Sequence, residues 1–240
     1  MNVAVILAGG SGTRIGGPVP KQFIEVQGKP IMAYTLEIFQ AHPDIDAIEI
    51  VCAPDMQGRV ERIVSAYGIT KVRWYAHSGA TFQESAVSGL FRLKGDLEPA
   101  DIVLLQFAVG PMVTEEIISD AIRVCGIHGN AIASNEMDLC TCIKDDAYST
   151  STSILRENLM GFAAPWAFRF GEVCEAYETA ISRGILDQLE PHTTSLYFAL
   201  GKTLYFSKSS RTNIKITYKE DLDLFEGHLL LQQKRARERA

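Results

Sequence analysis

The stretch LAGGSGTRIGGPVPKQF, residues 7–23, decides how the chain begins to fold. It overlaps the apolar run NVAVILA, which has the length of a buried strand, and it precedes PIMAYTLEIFQAH, which has helical spacing. A tight strand-to-helix turn explains one or two glycines, whereas this stretch has five, together with Arg14 and Lys21. Bare backbone N–H groups beside two cations are typical of a loop that holds an anion.

Strands and helices alternate through the first half of the chain. The further predicted strands are IDAIEIVCAP, KVRWYAHSG and DIVLLQFA, and the further predicted helices are MQGRVERIVSAYG, TFQESAVSGLFRLKG and TEEIISDAIRVCGIHG. This alternation predicts an α/β fold with a mostly parallel sheet and helices on both faces. Ligands on such sheets bind at the carboxyl ends of the strands, which is where the glycine-rich stretch lies.

The second half of the chain does not continue this alternation of strands and helices. Residues 136–160 contain short β-like pieces and a Ser/Thr-rich turn, and we interpret them as a protruding arm or hairpin. Residues 169–190 are predicted to be helical, TLYFSKS and NIKIT are predicted strands, and the chain closes with a helix. No linker or repeat divides the sequence, so we expect one domain over residues 1–240.

Composition limits the classes of function. The chain has 240 residues, 47% of them apolar, and a net charge of −6, which argues against a nucleic-acid or membrane-binding face. The sequence predicts no targeting segment and no membrane span. Its five cysteines are odd in number and lack paired metal-site spacing, so we expect reduced thiols and a cytoplasmic protein.

The glycine-rich stretch fails two common nucleotide motifs. Ile15 stands where a G-x-G-x-x-G dinucleotide fingerprint needs glycine, and no G-K-[ST] closes a P-loop. An anion cradle remains, in which Arg14 can contact two phosphate oxygens and Lys21 supplies a point charge. Such a loop suits a nucleoside triphosphate that is attacked at its α-phosphate.

The motif L-A-G-G-S-G-T-R-x-G followed by P-K-Q-F resembles the signature of nucleotidyltransferases. Its P-K-Q form is similar to the cytidylyltransferases of methylerythritol phosphate (isoprenoid synthesis) and of ribitol phosphate (cell-wall and capsule synthesis). The resemblance continues through AHPDIDAIEIV, SGATFQESAVSGL and NIKIT with the following EDL. It implies a Rossmann-like nucleotidyltransferase fold with a β-arm, a homodimer formed through that arm, and the substrates CTP and a polyol phosphate.

The resemblance also implies roles for individual residues. It gives catalytic roles to Arg14, Lys21 and Lys215, nucleotide-binding roles to Ala8, Gly9, Gly10, Ser11, Gly12, Thr13, Gly79 and Ser85, and acceptor-binding roles to Asp138 and Arg156. Considered alone, Ser85 is better explained as a hydroxyl on a helix face. Lys215, considered alone, is equally explained as the outward residue of an alternating strand.

Several positions depart from the family pattern. The family has two metal-holding carboxylates, and here the matching positions are Phe107 and His192. Further polar residues of the family are replaced by Phe82, Gly110, Leu139, Ala164 and Trp166. Mg²⁺ prefers hard oxygen ligands, so we expect any Mg²⁺ to be held through the nucleotide phosphates only.

Three hypotheses follow from this combination. The first is transfer of CMP from CTP to a polyol phosphate with release of pyrophosphate. The second is a catalytically impaired homologue that binds nucleotide and acts as a regulator or partner subunit. The third is a different chemistry in the same pocket, in which a more apolar acceptor faces Phe82, Phe107 and Trp166.

Overall fold

The computed structural model of the protein describes residues 1–10, 12, 14–16 and 19–239. The strands are β1 (Asn2–Leu7), β2 (Glu25–Val26), β3 (Lys29–Pro30), β4 (Ala47–Cys52), β5 (Val72–His77), β6 (Ile102–Phe107), β7 (Asn130–Glu136), β8 (Thr141–Ile143), β9 (Thr152–Ile154), β10 (Met160–Arg169) and β11 (Phe206–Lys208). The α-helices are α1 (Ile31–Ala41), α2 (Gln57–Ala66), α3 (Phe82–Arg92), α4 (Glu115–His128), α5 (Phe170–Arg183), α6 (Thr193–Ala199) and α7 (Lys219–Arg239).

The main sheet is mostly parallel. Within the described ranges it has seven strands in the order β11-β7-β10-β6-β1-β4-β5. Strand β10 runs antiparallel to both of its neighbours, β6 and β7. The other four neighbouring pairs of this sheet, β11–β7, β6–β1, β1–β4 and β4–β5, run parallel. The predicted α/β fold with a mostly parallel sheet is therefore confirmed.

The sheet separates two apolar cores because successive residues of a strand point to opposite faces. On β1, Ala4 and Ile6 pack into the core covered by α1, α2 and α4, whereas Val3 and Val5 pack into the core covered by α3, α5 and α6. Strand β4 is buried along its whole length. Burial on both faces explains why these strands are continuous apolar runs rather than alternating ones.

The arm is a β-hairpin between β7 and β10. Strands β8 and β9 pair antiparallel, with Thr141 opposite Ile154, and they form a two-stranded sheet separate from the main one. The chain leaves the main sheet after Glu136 and rejoins it at Met160, which are themselves paired. The hairpin lies within the span 136–160 predicted for it.

One predicted strand in the last third of the chain is wrong. Residues 213–217 (NIKIT) are not a strand, because the side chain of Asn213 donates to the carbonyl of Ala164 and Asp221 accepts from the N–H of Thr217. Side-chain bonds of this kind compete with a ladder of backbone bonds. The helix α6 was not predicted, and the predicted strand TLYFSKS is reduced to β11.

The carboxyl ends of the central strands meet at one edge of the sheet. Leu7 at the end of β1 pairs with Phe107 at the end of β6 and with Val51 near the end of β4. The glycine-rich stretch leaves the sheet at this edge. None of the helices in the described ranges has both the length and the apolar character that a membrane span requires.

Candidate functional site

The glycine-rich stretch folds closely over Lys21. Gly12 has a φ of +75°, and a Cβ there would lie 2.9 Å from the backbone nitrogen of Lys21. A Cβ on Gly9 would lie 2.3 Å from the Cβ of Ser78. Only glycine suits these two positions, so the glycines bring the backbone of the loop against the segment that carries Lys21.

Lys21 begins a short 3₁₀ helix, Lys21–Phe23, and its side chain is buried. Its Nζ donates to the carbonyl oxygen of Ile216 at 3.2 Å. Burial, followed by the charge of Arg14, lowers the pKa of Lys21, and the charge of Asp221 opposes this shift. A buried ammonium with a lowered pKa is a candidate for a functional cation.

Lys215 completes a cation cluster with Arg14 and Lys21. Burial, followed by the charges of Lys21 and Arg14, lowers the pKa of Lys215 to about 8. Its Nζ lies 3.4 Å from the ring centroid of Phe107, a cation–π contact, and the guanidinium of Arg14 lies 5.9 Å from the ring centroid of Tyr218. The repulsion among these cations would be relieved by a bound anion.

The cation cluster faces a cavity of about 270 Å³, which we call the glycine-loop cavity. It lies at the carboxyl ends of β1 and β6. The residues predicted to bind nucleotide or to act in catalysis that line this cavity are Ala8, Gly9, Gly10, Gly12, Arg14, Lys21, Gly79, Ser85 and Lys215. The predictions for Ser11 and Thr13 lie outside the described residues.

Gly79 and Ser85 form one edge of this cavity through the turn that begins α3. The Oγ of Ser85 accepts from the N–H of Gly79 at 3.1 Å and donates to the carbonyl of Thr81 at 2.9 Å. Thr81 caps the helix by accepting from the N–H of Glu84 at 3.1 Å. A Cβ on Gly79 would lie 2.2 Å from the Cβ of Glu84, so this turn also requires glycine.

A second cavity of about 650 Å³, the arm cavity, lies at the base of the arm. Asp138 lines it, and one carboxylate oxygen of Asp138 lies 2.6 Å from Nη2 of Arg211. Arg156 is not among the lining residues, but its Nη1 donates to the carbonyl of Asp138 at 3.2 Å. Lys215 and Phe107 line both cavities, so the two cavities adjoin.

Sequence reasoning did not identify Arg211. It stands 73 residues after Asp138 and two residues before the N-I-K-x-T motif, and no pattern in the sequence links it to the arm. Its ion pair with Asp138 depends on how the arm folds back toward this segment.

Four rings form one cluster, the aromatic wall, between the two cavities. The centroid of Phe82 lies 5.9 Å from Phe107, 5.6 Å from Trp166 and 5.8 Å from His192. Trp166 lies 5.7 Å from both Phe107 and His192. Phe82 and Phe107 line the glycine-loop cavity, whereas Phe107, Trp166 and His192 line the arm cavity. Four residues that are far apart in the sequence, and that depart from the family pattern, therefore form one continuous cluster of rings.

His192 contributes to the wall as a neutral ring. Burial is the largest cause that lowers its pKa below the ordinary value, and the charge of Lys215 adds to this effect. Glu190 opposes the shift, with its Oε1 at 3.4 Å from Nδ1 of His192. The imidazole is thus uncharged near pH 7.

The side chains at the glycine-loop cavity do not suit a Mg²⁺ held by the protein. Mg²⁺ takes oxygen ligands in a near-octahedral arrangement, and carboxylates are its usual protein ligands. No Asp or Glu is found among the described residues that line this cavity. Across the described ranges, no group of three His, Cys, Asp or Glu side chains could hold a metal ion.

Comparison with known proteins identifies the class. Residues 2–230 match the family described as IspD, 2-C-methyl-D-erythritol 4-phosphate cytidylyltransferase, and the chain belongs to this family. It is 36% identical over 229 residues to a ribitol-5-phosphate cytidylyltransferase of Lacticaseibacillus paracasei, covering 95% of this chain and 98% of the relative. It is 33% identical over 231 residues to a 2-C-methyl-D-erythritol 4-phosphate cytidylyltransferase of Clostridium novyi, covering 95% and 96%.

Solved structures agree on the fold. The crystal structure of a 4-diphosphocytidyl-2C-methyl-D-erythritol synthase from Anaerococcus prevotii superposes with a TM-score of 0.80 at 23% identity, covering 95% of this chain and 96% of that one. The Francisella tularensis 2-C-methyl-D-erythritol 4-phosphate cytidylyltransferase superposes with a TM-score of 0.77 at 21% identity, covering 93% and 97%. The predicted Rossmann-like nucleotidyltransferase fold is confirmed.

Proposed function

We propose that the chain transfers CMP from CTP to a polyol phosphate of the methylerythritol phosphate or ribitol 5-phosphate type and releases pyrophosphate. Membership of the family and the activities named for its relatives support this proposal. The observation that carries it is the convergence of Arg14, Lys21 and Lys215 on a cavity lined by bare glycine backbone. Three cations around such a cavity suit the charge of a triphosphate.

The reaction requires mainly that the two phosphate groups are held in position and that their charge is neutralised. A phosphate oxygen of the acceptor attacks the α-phosphorus of CTP and forms a new P–O–P linkage. The bond from the α-phosphorus to the oxygen that bridges to the β-phosphate breaks, and pyrophosphate leaves with that oxygen. Arg14, Lys21 and Lys215 oppose the charge that builds on the phosphates, and Gly79 and Ser85 provide the edge where the cytosine would lie.

The acceptor occupies the arm cavity in this proposal. Lys215 lines both cavities, so it can contact the acceptor phosphate and the α-phosphate together. Asp138 lines the arm cavity, and Arg156 is tied to its main chain. We add Arg211 to this set because it forms an ion pair with Asp138 at the cavity wall.

We propose that Mg²⁺ reaches this site only as a complex with the nucleotide phosphates. The cavity lining supplies cations and backbone groups rather than carboxylates, and Phe107 offers no ligand. Bound in this way, the metal would supply additional charge neutralisation on the triphosphate.

A second candidate is a homologue with impaired catalysis that binds CTP and acts as a regulator or partner subunit. The aromatic wall supports it, because removal of electrostatic stabilisation at one catalytic position typically costs about 10²–10³ in rate. Phe107 and His192 together remove two positions where the resemblance implies carboxylates.

Calorimetric titration with CTP and a pyrophosphate-release assay on the same sample separate these candidates. Transfer activity requires CTP binding and pyrophosphate release that depends on ribitol 5-phosphate or methylerythritol phosphate, with Mg²⁺ present. CTP binding without release, with either acceptor, supports the impaired homologue. Absence of CTP binding with and without Mg²⁺ contradicts both candidates.

We also propose a homodimer formed through the arm. The hairpin and its base expose several large apolar side chains, namely Leu139, Ile143, Tyr148 and Leu155. Ile143→Asp should shift the mass measured by light scattering from two chains to one. Ile127→Asp, at an exposed apolar position in α4 rather than in the arm, is the matched control. A single-chain mass for the wild type would contradict the dimer.

A cytoplasmic location is part of the proposal. All five cysteines are free thiols, and Cys140 and Cys142 are exposed on the arm. Exposed unpaired thiols suit a reducing compartment, where CTP is also available. Fractionation of the source cells that placed the protein outside the cytoplasm would contradict this location.

A further inference from the structure

One short segment, residues 215–218, holds two members of the cation cluster. It contains Lys215, and the carbonyl oxygen of Ile216 accepts from Nζ of Lys21 at 3.2 Å. All four residues of the segment are described by the structure, and they belong to no helix or strand, so no ladder of backbone hydrogen bonds fixes their course. The conformation of the segment therefore depends on the individual bonds that it makes to its neighbours.

A single carboxylate oxygen fixes the middle of this segment. Oδ2 of Asp221 accepts from the backbone N–H of Thr217 at 2.7 Å and from that of Tyr218 at 2.9 Å. The hydroxyl of Thr217 in turn donates to the carbonyl of Lys215 at 2.9 Å. Asp221 is in the first turn of α7, from which an acidic side chain can reach back to the N–H groups before the helix. A chain of hydrogen bonds thus runs from α7 to the main chain of Lys215.

The helix that carries Asp221 is anchored one turn further on. Phe225 is 1% exposed, and its ring meets that of Tyr34 of α1 edge-on, with the centroids 5.0 Å apart. The N–H of Ile216 donates to the carbonyl of Val109 at 2.9 Å, and the Ile216 side chain packs in the same apolar cluster as Phe225. Asp221 is therefore held in a fixed place relative to the sheet, and it can hold the segment before it.

The carboxylate of Asp221 lies outside the glycine-loop cavity. It is absent from the described residues that line this cavity, and its partners are N–H groups of the segment. Without a bound anion, Arg14, Lys21 and Lys215 repel one another, which would drive a loosely held segment away from the cavity. A segment that is already fixed presents its ammonium groups with no reorganisation when a phosphate binds.

From these contacts we propose that Asp221 is a positioning residue: its hydrogen bonds to the residues before α7 hold Lys215 and Lys21 in place before the nucleotide arrives. This inference deepens the proposed function and rests on it only for the identity of that nucleotide. A carboxylate that acted through its charge alone would weaken anion binding, so its removal would increase the affinity for CTP. Removal of a positioning residue has the opposite effect.

The first measurement follows the titration of Lys215 in the full chain without ligand. Rates of acylation of its amine by acetic anhydride, resolved by mass spectrometry, report its pKa, which burial and the charges of Lys21 and Arg14 hold at about 8. In Asp221→Ala the segment loosens toward solvent, so the pKa should lie about one pH unit or more higher. Loss of a negative charge alone cannot raise the pKa of a lysine. Alanine is the best helix former, so this variant keeps α7.

Two further variants separate hydrogen bonding from charge. Asp221→Asn is the rescue variant, because its amide oxygen can accept the same N–H bonds without a charge, and the Lys215 titration should stay close to that of the wild type. Asp223→Ala removes the same charge from an exposed position of α7 and should also leave the titration unchanged. An unchanged or lowered Lys215 pKa in Asp221→Ala overturns the inference, as does an Asn variant that behaves like the Ala variant.

Calorimetric titration of CTP into the same proteins is the second measurement. Asp221→Ala should weaken CTP binding by about tenfold, whereas Asp221→Asn and Asp223→Ala should stay within about threefold of the wild type. An unchanged or tighter CTP complex of Asp221→Ala overturns the inference. Absence of CTP binding by the wild type contradicts the proposed function instead, and the Lys215 titration then decides the inference by itself.

Discussion

The glycine-loop cavity and the arm cavity share Phe107 and Lys215, yet different kinds of chemical group line the two cavities. The glycine-loop cavity consists of backbone and cations, and close packing requires glycine at Gly9, Gly12 and Gly79. The arm cavity consists of side chains, many of them aromatic. Backbone contacts recognise charge and shape that a triphosphate always presents, whereas side chains can be exchanged one at a time. The glycine-loop cavity is therefore the more constrained of the two, and the arm cavity is the more variable.

Removing a cation from the glycine-loop cavity should have the largest effect. Lys21→Met takes away a buried ammonium at the carboxyl end of the sheet, and we expect a loss of about 10²–10³ in CTP turnover or a comparable loss of CTP affinity. Calorimetry and pyrophosphate release measure these changes. Lys234→Met, on the exposed part of α7, is the control and should leave both unchanged. A Lys21 variant in which both CTP affinity and turnover are unaltered would show that the cavity does not bind the triphosphate.

A carboxylate placed in the aromatic wall should make CTP binding depend more strongly on Mg²⁺. Phe107→Asp supplies an oxygen ligand next to the glycine-loop cavity, so Mg²⁺ should increase CTP affinity by about tenfold more than in the wild type. Phe107→Asn removes the same ring without adding charge and is the control. If both variants respond to Mg²⁺ like the wild type, a carboxylate at position 107 does not provide a Mg²⁺ ligand in this chain.

The shared residue Lys215 should make both cavities sensitive to alkaline pH. Its pKa of about 8 means that it is an ammonium below that pH and a neutral amine above it. Between pH 7 and 9 we expect the affinities for CTP and for a polyol phosphate to fall by about threefold to tenfold, since an anion loses one charged partner. Calorimetry at the two pH values measures this fall. In Lys215→Arg the guanidinium stays charged, so a fall of the same size there would assign the effect to another group.

A change in the buried part of β4 should alter stability and leave binding unaffected. Glu49 on β4 is fully buried, neither carboxylate oxygen has a partner among the described residues, and burial raises its pKa to about 8. Between pH 4.5 and 8 the folded chain keeps a proton that the unfolded chain releases, so stability falls as pH rises. The slope is about 1.4 kcal/mol per pH unit, or about 3 kcal/mol by pH 7.

Glu49→Gln removes this titration. The difference in free energy of unfolding between variant and wild type, measured with denaturant, should grow as pH rises from 5 to 8. Both ligand affinities should stay within about twofold of the wild type, because Glu49 packs against Gly89 of α3 and does not line either cavity. A constant difference across this pH range would mean that Glu49 is ionised in the folded chain.

The sequence was a good guide wherever local pattern determines structure. Apolar runs located β1, β4 and β6, and the five glycines with two cations located the glycine-loop cavity. Long-range pairing could not be inferred. The insertion of β10 between β6 and β7, and the ion pair of Arg211 with Asp138, depend on contacts between distant segments that leave no local pattern.

The aromatic wall likewise depends on contacts that the sequence alone does not predict. The sequence indicated that Phe82, Phe107, Trp166 and His192 replace polar residues, but not that their rings touch. The strand predicted at residues 213–217 failed because hydrogen bonds from Asn213 and Asp221 override the alternating pattern. Hydrophobic periodicity therefore does not predict the contacts and hydrogen bonds that side chains make between segments.

Strand β10 carries Trp166 between two hydrogen-bonded neighbours, with Leu105 on one side and Ile132 on the other. A residue held on both sides by a sheet cannot adjust its position to a poorly matching guest. The shape of the arm cavity on this side is consequently fixed before any molecule enters it. A different shape here requires replacement of the side chain itself, because Trp166 belongs to the sheet and not to a loop.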